Sequence, residues 1–190
     1  KFFEKKDIKY ILKMKKIFHK YSENVQEKLK NKKISNKRNI LRFIDKNKTQ
    51  FSRNKDIIKL SSKVKKAIKE KFDKNFFRSL NIDHTLLKKG SYNISICWDK
   101  PGYSAKPHTD TKRKIWSGIL YLFGNGKIDA GTTILTKKKK KYKKFINVKA
   151  KTNRLFAFKR SPISYHSVEK SDSNRVIILI NFNYKNKYFK

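Results

Sequence analysis

The chain has 190 residues, 37% of them hydrophobic and 13% aromatic, enough for one packed core and too apolar for a disordered tail. Lys and Arg number 52 against 14 Asp and Glu, a formal net charge of +38, which directs attention to phosphate-rich partners. A single cysteine, Cys97, excludes an intrachain disulfide and any multi-cysteine zinc or iron–sulfur site, and a reducing, cytoplasmic setting is the simplest expectation.

The first 89 residues contain neither Pro nor Gly, and their apolar residues recur at helical spacing. Ile8, Ile11, Leu12, Ile17 and Phe18 predict one amphipathic helix. Ile57, Ile58, Leu60, Val64, Ile68 and Phe72 predict a second, ending before Asp73-Lys74-Asn75. Between them, residues 31–54 are polar and lysine-rich around a short apolar patch (Ile40, Leu41, Phe43, Ile44), which reads as a loop or a weak helix. No stretch resembles a membrane span or a signal peptide, because charges interrupt KFFEKKDIKYILKMKKIF every two or three residues.

At Gly90 the pattern changes to strands. Short β-branched or aromatic runs are expected at 92–98, 115–123, 132–135, 145–148, 155–158, 165–168 and 176–182. Turn residues separate them, among them Lys100-Pro101-Gly102, Gly124-Asn125-Gly126, Ser161-Pro162 and 171–174. Seven or eight such strands indicate a sandwich or barrel. The expected architecture is α+β and mainly β: one domain over 1–190, with a helical part (1–89) packed on one sheet of a β-unit (90–190).

The tract KKKKKYKK at 137–144 is expected at the tip of a long hairpin. A solvated loop is the plain reading and an anion-binding finger the sharper one. Lys, Asn and Ile all have A/T-rich codons, so base composition could supply much of the lysine. It does not explain the shortage of Asp and Glu, whose codons tolerate the same bias.

Three side chains carry candidate chemistry: His108 and Asp110 in PHTD, and His166 in SYHSVEK. In an H-x-D pair at a strand end, both side chains point to one side. With a histidine from a neighbouring strand they form a face of two imidazoles and one carboxylate, the open facial triad of non-haem iron sites. Arg175 follows His166 by nine positions and opens the strand RVIILINF. An arginine leaving so apolar a strand must reach solvent or an anion, and a dicarboxylate would suit its two-pronged donor geometry.

From about Tyr92 to Phe182 the segments PGYSAKPHTD, SGILYLF, AGTTIL, NRLFAF, SYHSVEK and RVIILINF together resemble the 2-oxoglutarate/Fe(II)-dependent dioxygenases, in their prolyl-hydroxylase-like branch. The resemblance implies a double-stranded β-helix (a jelly roll, cupin-like) with flanking N-terminal helices. It implies Fe(II) held by His108, Asp110 and His166, with 2-oxoglutarate and O2 as cosubstrates and ascorbate as a candidate reductant. Arg175 would bind the far carboxylate of 2-oxoglutarate, and Tyr121 either assists it or simply packs in the core. Trp98 stands where some relatives place a pocket tyrosine, and is expected to wall the pocket. Gly131 and Thr132 match a turn of the family pattern, with a role in backbone geometry. The reaction implied is hydroxylation of a peptide, protein or small-molecule substrate, with 2-oxoglutarate converted to succinate and CO2. The carboxylate of Asp110 favours hydroxylation over halogenation. Three alternatives compete: a nucleic-acid demethylase, whose second arginine is replaced here by Asn181; a non-catalytic, basic nucleic-acid-binding protein; and a cupin-like metalloenzyme for which Arg175 would be unnecessary. Substrate identity and oligomeric state are not encoded legibly.

Overall fold

The computed structural model describes residues 2–13, 38–43, 55–83, 85–123, 131–170 and 172–188. Ile17, Phe18, Ile44 and the Gly124-Asn125-Gly126 turn lie outside the described residues. Helix α1 spans Lys5–Lys13, with Ile8 and Ile11 buried. Helix α2 spans Lys55–Lys71 and buries Leu60, Val64, Ala67 and Ile68, one stripe at the i, i+4, i+7, i+8 spacing that a 3.6-residue turn demands. Its lysines take the opposite face, and Lys69 and Lys71 close its last turn, where the macrodipole favours cations. Two short helices follow, α3 (Lys74–Ser79) and α4 (Thr85–Lys89). Asp73 caps α3: its carboxylate accepts the Phe76 backbone N–H at 2.8 Å, meeting one of the donors a helix start leaves open.

The strands are β1 (Arg38–Phe43), β2 (Gly90–Asp99), β3 (Ala105–His108), β4 (Lys114–Phe123), β5 (Thr132–Lys138), β6 (Lys141–Val148), β7 (Arg154–Lys159), β8 (Tyr165–Val168) and β9 (Arg175–Tyr184). They form a five-stranded sheet in the order β1-β2-β9-β4-β7 and a four-stranded sheet in the order β3-β8-β5-β6, antiparallel at each of the pairings described. This is the two-sheet wrapping of a double-stranded β-helix, as the sequence led us to expect.

Strand β9 shows why its sequence reads as almost continuously apolar. Val176, Ile178, Ile180 and Phe182 belong to the core beneath the helices, with Ile8, Leu60, Val64, Phe72 and Trp116. Arg175, Ile177, Leu179 and Asn181 alternate with them and line a cavity between the sheets. Both faces of the large sheet are covered, so no polar stripe is needed. The helix-side core is mainly aliphatic with an aromatic group inside it; Trp116, fully buried, meets Phe72 at 5.1 Å and Phe76 at 5.3 Å in edge-on packing, the arrangement ring quadrupoles prefer.

Two expectations are corrected. The patch at 40–43 is neither loop nor helix: it belongs to β1, paired antiparallel with β2 from Arg38↔Asp99 to Phe43↔Ile94. Pairing with an existing sheet edge outweighs weak local propensity. Trp98 does not wall the cavity. On β2 the even-numbered Ile94, Ile96 and Trp98 join the helix-side core, so the two-residue strand period turns the indole away from the inter-sheet space. The short strand β3 and helices α3 and α4 add to the elements read from sequence.

Candidate metal centre

Strand β3 ends on His108, and β8 carries His166 directly opposite it in the ladder. Their ring centroids are 4.4 Å apart. Asp110 lies two residues past the end of β3, and one ligand atom from each of the three side chains falls within 4.8 Å of the others. The structure therefore brings together the three residues singled out from sequence. His166 and Asp110 are buried, at 7% and 9% exposure, while His108 faces solvent.

Each imidazole is oriented by a backbone carbonyl two residues upstream: His108 Nδ1 on Lys106 O at 2.7 Å and His166 Nδ1 on Ser164 O at 3.0 Å. A carbonyl only accepts, so both Nδ1 atoms donate, and in the neutral ring Nε2 is then the nitrogen left for a metal. This is the tautomer a metal requires, fixed by outer hydrogen bonds as in established histidine sites. Asp110 is held on both oxygens, by Lys114 Nζ at 2.6 Å and by Ser117 Oγ at 2.6 Å. Burial alone would push its carboxyl up, but Lys114, the two hydrogen bonds and His166 hold it below its ordinary value. Burial pushes His166 below its ordinary value, more strongly than the Ser164 carbonyl pulls it up, and His108 acts in the same direction. An ionised carboxylate and a neutral buried imidazole fit a borderline divalent cation of the first transition row.

The triad opens on a cavity of about 190 Å³ between the sheets, small beside the roughly 300–1,000 Å³ of sites for drug-sized ligands. Its wall carries three cationic residues, Arg38, Lys114 and Arg175, together with Tyr103, Thr132 and Asn181. A larger cavity of about 380 Å³ lies beside α3 and α4, lined by Lys74, Phe77, Arg78, Asn81, Ile82, Asp83, Leu86 and Lys159. It contains none of the triad, and we assign it no role.

Arg175 is almost completely buried. Its Nε and Nη2 donate to Asp99 Oδ2 at 2.8 and 2.6 Å, and its Nη1 donates to the Gly131 carbonyl at 3.0 Å. The same Asp99 receives Arg38, with Nε on Oδ1 at 2.5 Å and Nη2 on Oδ2 at 2.8 Å. The Arg38 guanidinium also lies 4.0 Å from the ring centroid of Tyr103, a cation–π distance. One carboxylate thus serves two guanidiniums, that of Arg175 buried and that of Arg38 partly buried, and the cluster keeps a net positive charge beside the cavity. Tyr121 is fully buried in the inner core and donates to Thr132 Oγ1 at 2.7 Å. It stands behind Thr132, which itself lines the cavity.

Arg38, Asp99, Tyr103, Lys114 and Ser117 were not identified from the sequence. Asp99 did carry a signal, an acid ending the apolar strand YNISICWD and so in need of a cationic partner. Arg38 carried none, since one more cation in a lysine-rich segment is indistinguishable from its neighbours.

No protein-family model matches the chain, and no curated protein matches it in sequence. Solved structures do match in shape. The viral collagen prolyl hydroxylase of Paramecium bursaria Chlorella virus-1, solved as its 2-oxoglutarate complex, superposes with a TM-score of 0.56 at 12% identity, over 97% of this chain and 93% of that one. A prolyl hydroxylase from Trichoplax adhaerens, solved with a peptide fragment of the hypoxia-inducible factor oxygen degradation domain, gives 0.57 at 14% identity, over 96% of this chain and 80% of that one. The fold is that of the 2-oxoglutarate/Fe(II) oxygenases, in its prolyl-hydroxylase-like form. Among the described residues, no helix is long and apolar enough to cross a membrane.

Proposed function

We propose that this chain is an Fe(II)/2-oxoglutarate-dependent oxygenase that hydroxylates a peptide or protein side chain or a small molecule. The observation that carries this reading is the His108–Asp110–His166 cluster, with both Nδ1 atoms on backbone carbonyls, at a compact cavity walled by Arg175. His108, Asp110 and His166 would hold the iron. Arg175, held rigid by Asp99 and Gly131, would supply the charge that anchors the far carboxylate of 2-oxoglutarate. Tyr121 acts through Thr132, whose hydroxyl it orients towards the same carboxylate. When bound, iron and 2-oxoglutarate together supply the oxidising power to insert oxygen from O2 into a C–H bond, with succinate and CO2 formed.

The chain's own part is positional. Lys106 and Ser164 carbonyls fix the imidazole tautomers, and Ser117 holds the Asp110 carboxylate in place. Ile119, Ile177 and Leu179 keep one wall of the cavity apolar, which limits water at the metal face. Asn181 lines the same cavity with its neutral amide 3.2 Å from Ser117 Oγ, so the second arginine of the demethylase pattern has no counterpart at that position. We read the chain as one domain over 1–190, because the core beneath the sheet combines residues from both halves.

Anaerobic titration with Fe(II) tests the proposal, with one site expected in the wild type and none in His108→Ala or Asp110→Ala. Arg175→Ala is expected to bind iron and to lose 2-oxoglutarate. A wild-type protein that does not bind iron and 2-oxoglutarate together would refute the assignment.

A further inference from the structure

The lysine tract lies on a feature of defined shape. Residues 136–146, from the end of β5 to most of β6, are all exposed, so the two strands leave the body of the protein as a free-standing ribbon. Lys138 pairs with Lys141 at its end, and Leu135, paired with Lys144, is its last buried residue. At about 3.4 Å per residue, the ribbon extends on the order of 10–14 Å beyond its last buried residue. Seven of its eleven residues are lysines and none is acidic. Among the described residues only Lys144 of these seven has a carboxylate partner, Glu169 at 2.6 Å. Tyr142, one rung below the terminal Lys138–Lys141 pair, braces the ribbon, edge-on to Tyr165 at 5.3 Å and beneath Lys137 at 5.6 Å.

The turn decides between passive and selected lysine. Lys139 and Lys140 are joined in a two-residue hairpin with φ of 45° and 65°, the left-handed region that such turns normally fill with Asn-Gly. A non-glycine residue there costs about 1–2 kcal/mol, and asparagine tolerates the region best. Lysine and asparagine codons share their first two bases, both A. Base composition alone would therefore supply the better-suited asparagine as readily as lysine. Lysine at both positions indicates that the charge itself is used.

We propose that this ribbon is a nucleic-acid-binding finger that seats its lysine tip on the phosphates of a duplex groove. A two-stranded ribbon fits the major groove, whose depth is about 8.5 Å, and this one is long enough to reach its floor. A bilayer is the poorer partner. The leading end carries lysine alone, and the exposed apolar residues Phe145 and Ile146 sit back at the base, where they could not insert first. The ribbon extends from the strand beside the metal centre, since Ile134 of β5 pairs with His166. The finger does not depend on the oxygenase reading, and its binding requires no iron.

The test is fluorescence anisotropy of the full chain with a labelled duplex of about 20 base pairs, at several salt concentrations. The double substitution Lys139→Asn/Lys140→Gly removes two charges and installs the preferred turn, so the variant keeps its hairpin. Affinity at 0.1 M salt is expected to fall at least about tenfold, and the slope of log K against log salt to shrink by about 1.8, or 0.9 per lost phosphate contact. Lys65→Gln/Lys69→Gln on exposed positions of α2 removes the same charge elsewhere and is expected to change affinity less than about twofold. Equal losses from both pairs, or no loss from the turn pair, would overturn the finger. So would a turn variant that loses binding to anionic phospholipid vesicles while keeping its duplex affinity.

Discussion

Asp99 offers the sharpest test of how the cavity charge is organised. The substitution Asp99→Asn keeps the shape of the side chain and removes its charge. In the native protein this carboxylate accepts two hydrogen bonds from Arg38 and two from Arg175, with Asp99 and Arg175 each 3% exposed at the side chain. Hydrogen bonds to a charged group are worth about 1.5–3 kcal/mol each, and breaking a buried ion pair typically costs about 3–5 kcal/mol. Asparagine retains one acceptor oxygen, so the lower end, about 3 kcal/mol, is the expected loss. For a chain of this length that corresponds to a fall in Tm of roughly 6–12 °C. Chemical denaturation of wild type, Asp99→Asn, Arg38→Gln and the double variant measures it. Arg38→Gln alone should cost less than Asp99→Asn, because it leaves the Arg175–Asp99 pair intact. A functional consequence should accompany the loss. With Arg175 no longer held, 2-oxoglutarate binding should weaken at least about tenfold, or about 1.4 kcal/mol, while Fe(II) affinity stays near wild type. Asp99→Asn within about 0.5 kcal/mol of wild type, with unchanged 2-oxoglutarate affinity, would refute the idea that one carboxylate organises both guanidiniums.

Three further outcomes follow from the same geometry. Ser117→Ala removes the hydroxyl that holds Asp110 Oδ2 and should weaken Fe(II) or Mn(II) binding about 10- to 100-fold, the usual loss when a ligand's outer partner goes; unchanged affinity in calorimetry would dismiss Ser117 as an orienting group. Lys114→Met removes a cation that competes with the metal for Asp110 and should tighten metal binding at least about tenfold, whereas weaker binding would show that Lys114 positions the carboxylate instead. Gly131→Ala would place a Cβ 2.0 Å from the Val148 carbonyl oxygen, and this backbone overlap should cost about 1–3 kcal/mol in denaturant. Because the Gly131 carbonyl also accepts Arg175, that variant should lose 2-oxoglutarate affinity as well, and normal stability would contradict the packing described.

The fold was legible where the sequence repeats with the period of the structure. The helical stripe of α2 and the alternation along β9 can be read because burial on a fixed face selects residue type position by position. The candidate metal cluster was legible for a different reason: histidine and aspartate two apart, with a second histidine and an arginine downstream, form an uncommon chemical pattern. Failure came where geometry is set by partners distant in sequence. Strand β1 is a strand because the edge of β2 receives it, and Trp98 faces the helices because of the phase of β2. Neither the pairing nor the phase is local information.

The positive charge shows both limits at once. By composition alone, Arg38, Lys114 and Lys139 are equivalent members of a surplus of 38. The structure separates them into three physical roles. Arg38 is partly buried and committed to Asp99, so its contribution is rigidity. Lys114 is partly buried against Asp110, where it keeps the carboxylate ionised and opposes the cation that carboxylate would hold. Lys139 occupies a backbone conformation unfavourable to it, on a ribbon exposed along its whole length, where none of the described acidic residues pairs with its charge. A charge retained at a conformational cost, without a partner inside the fold, is the kind that acts on something outside it. For that reason the nucleic-acid proposal rests on the turn rather than on the net charge. Replacing lysines at random across the surface should reduce general polyanion attraction in proportion to their number, and only changes at the turn should exceed that proportion.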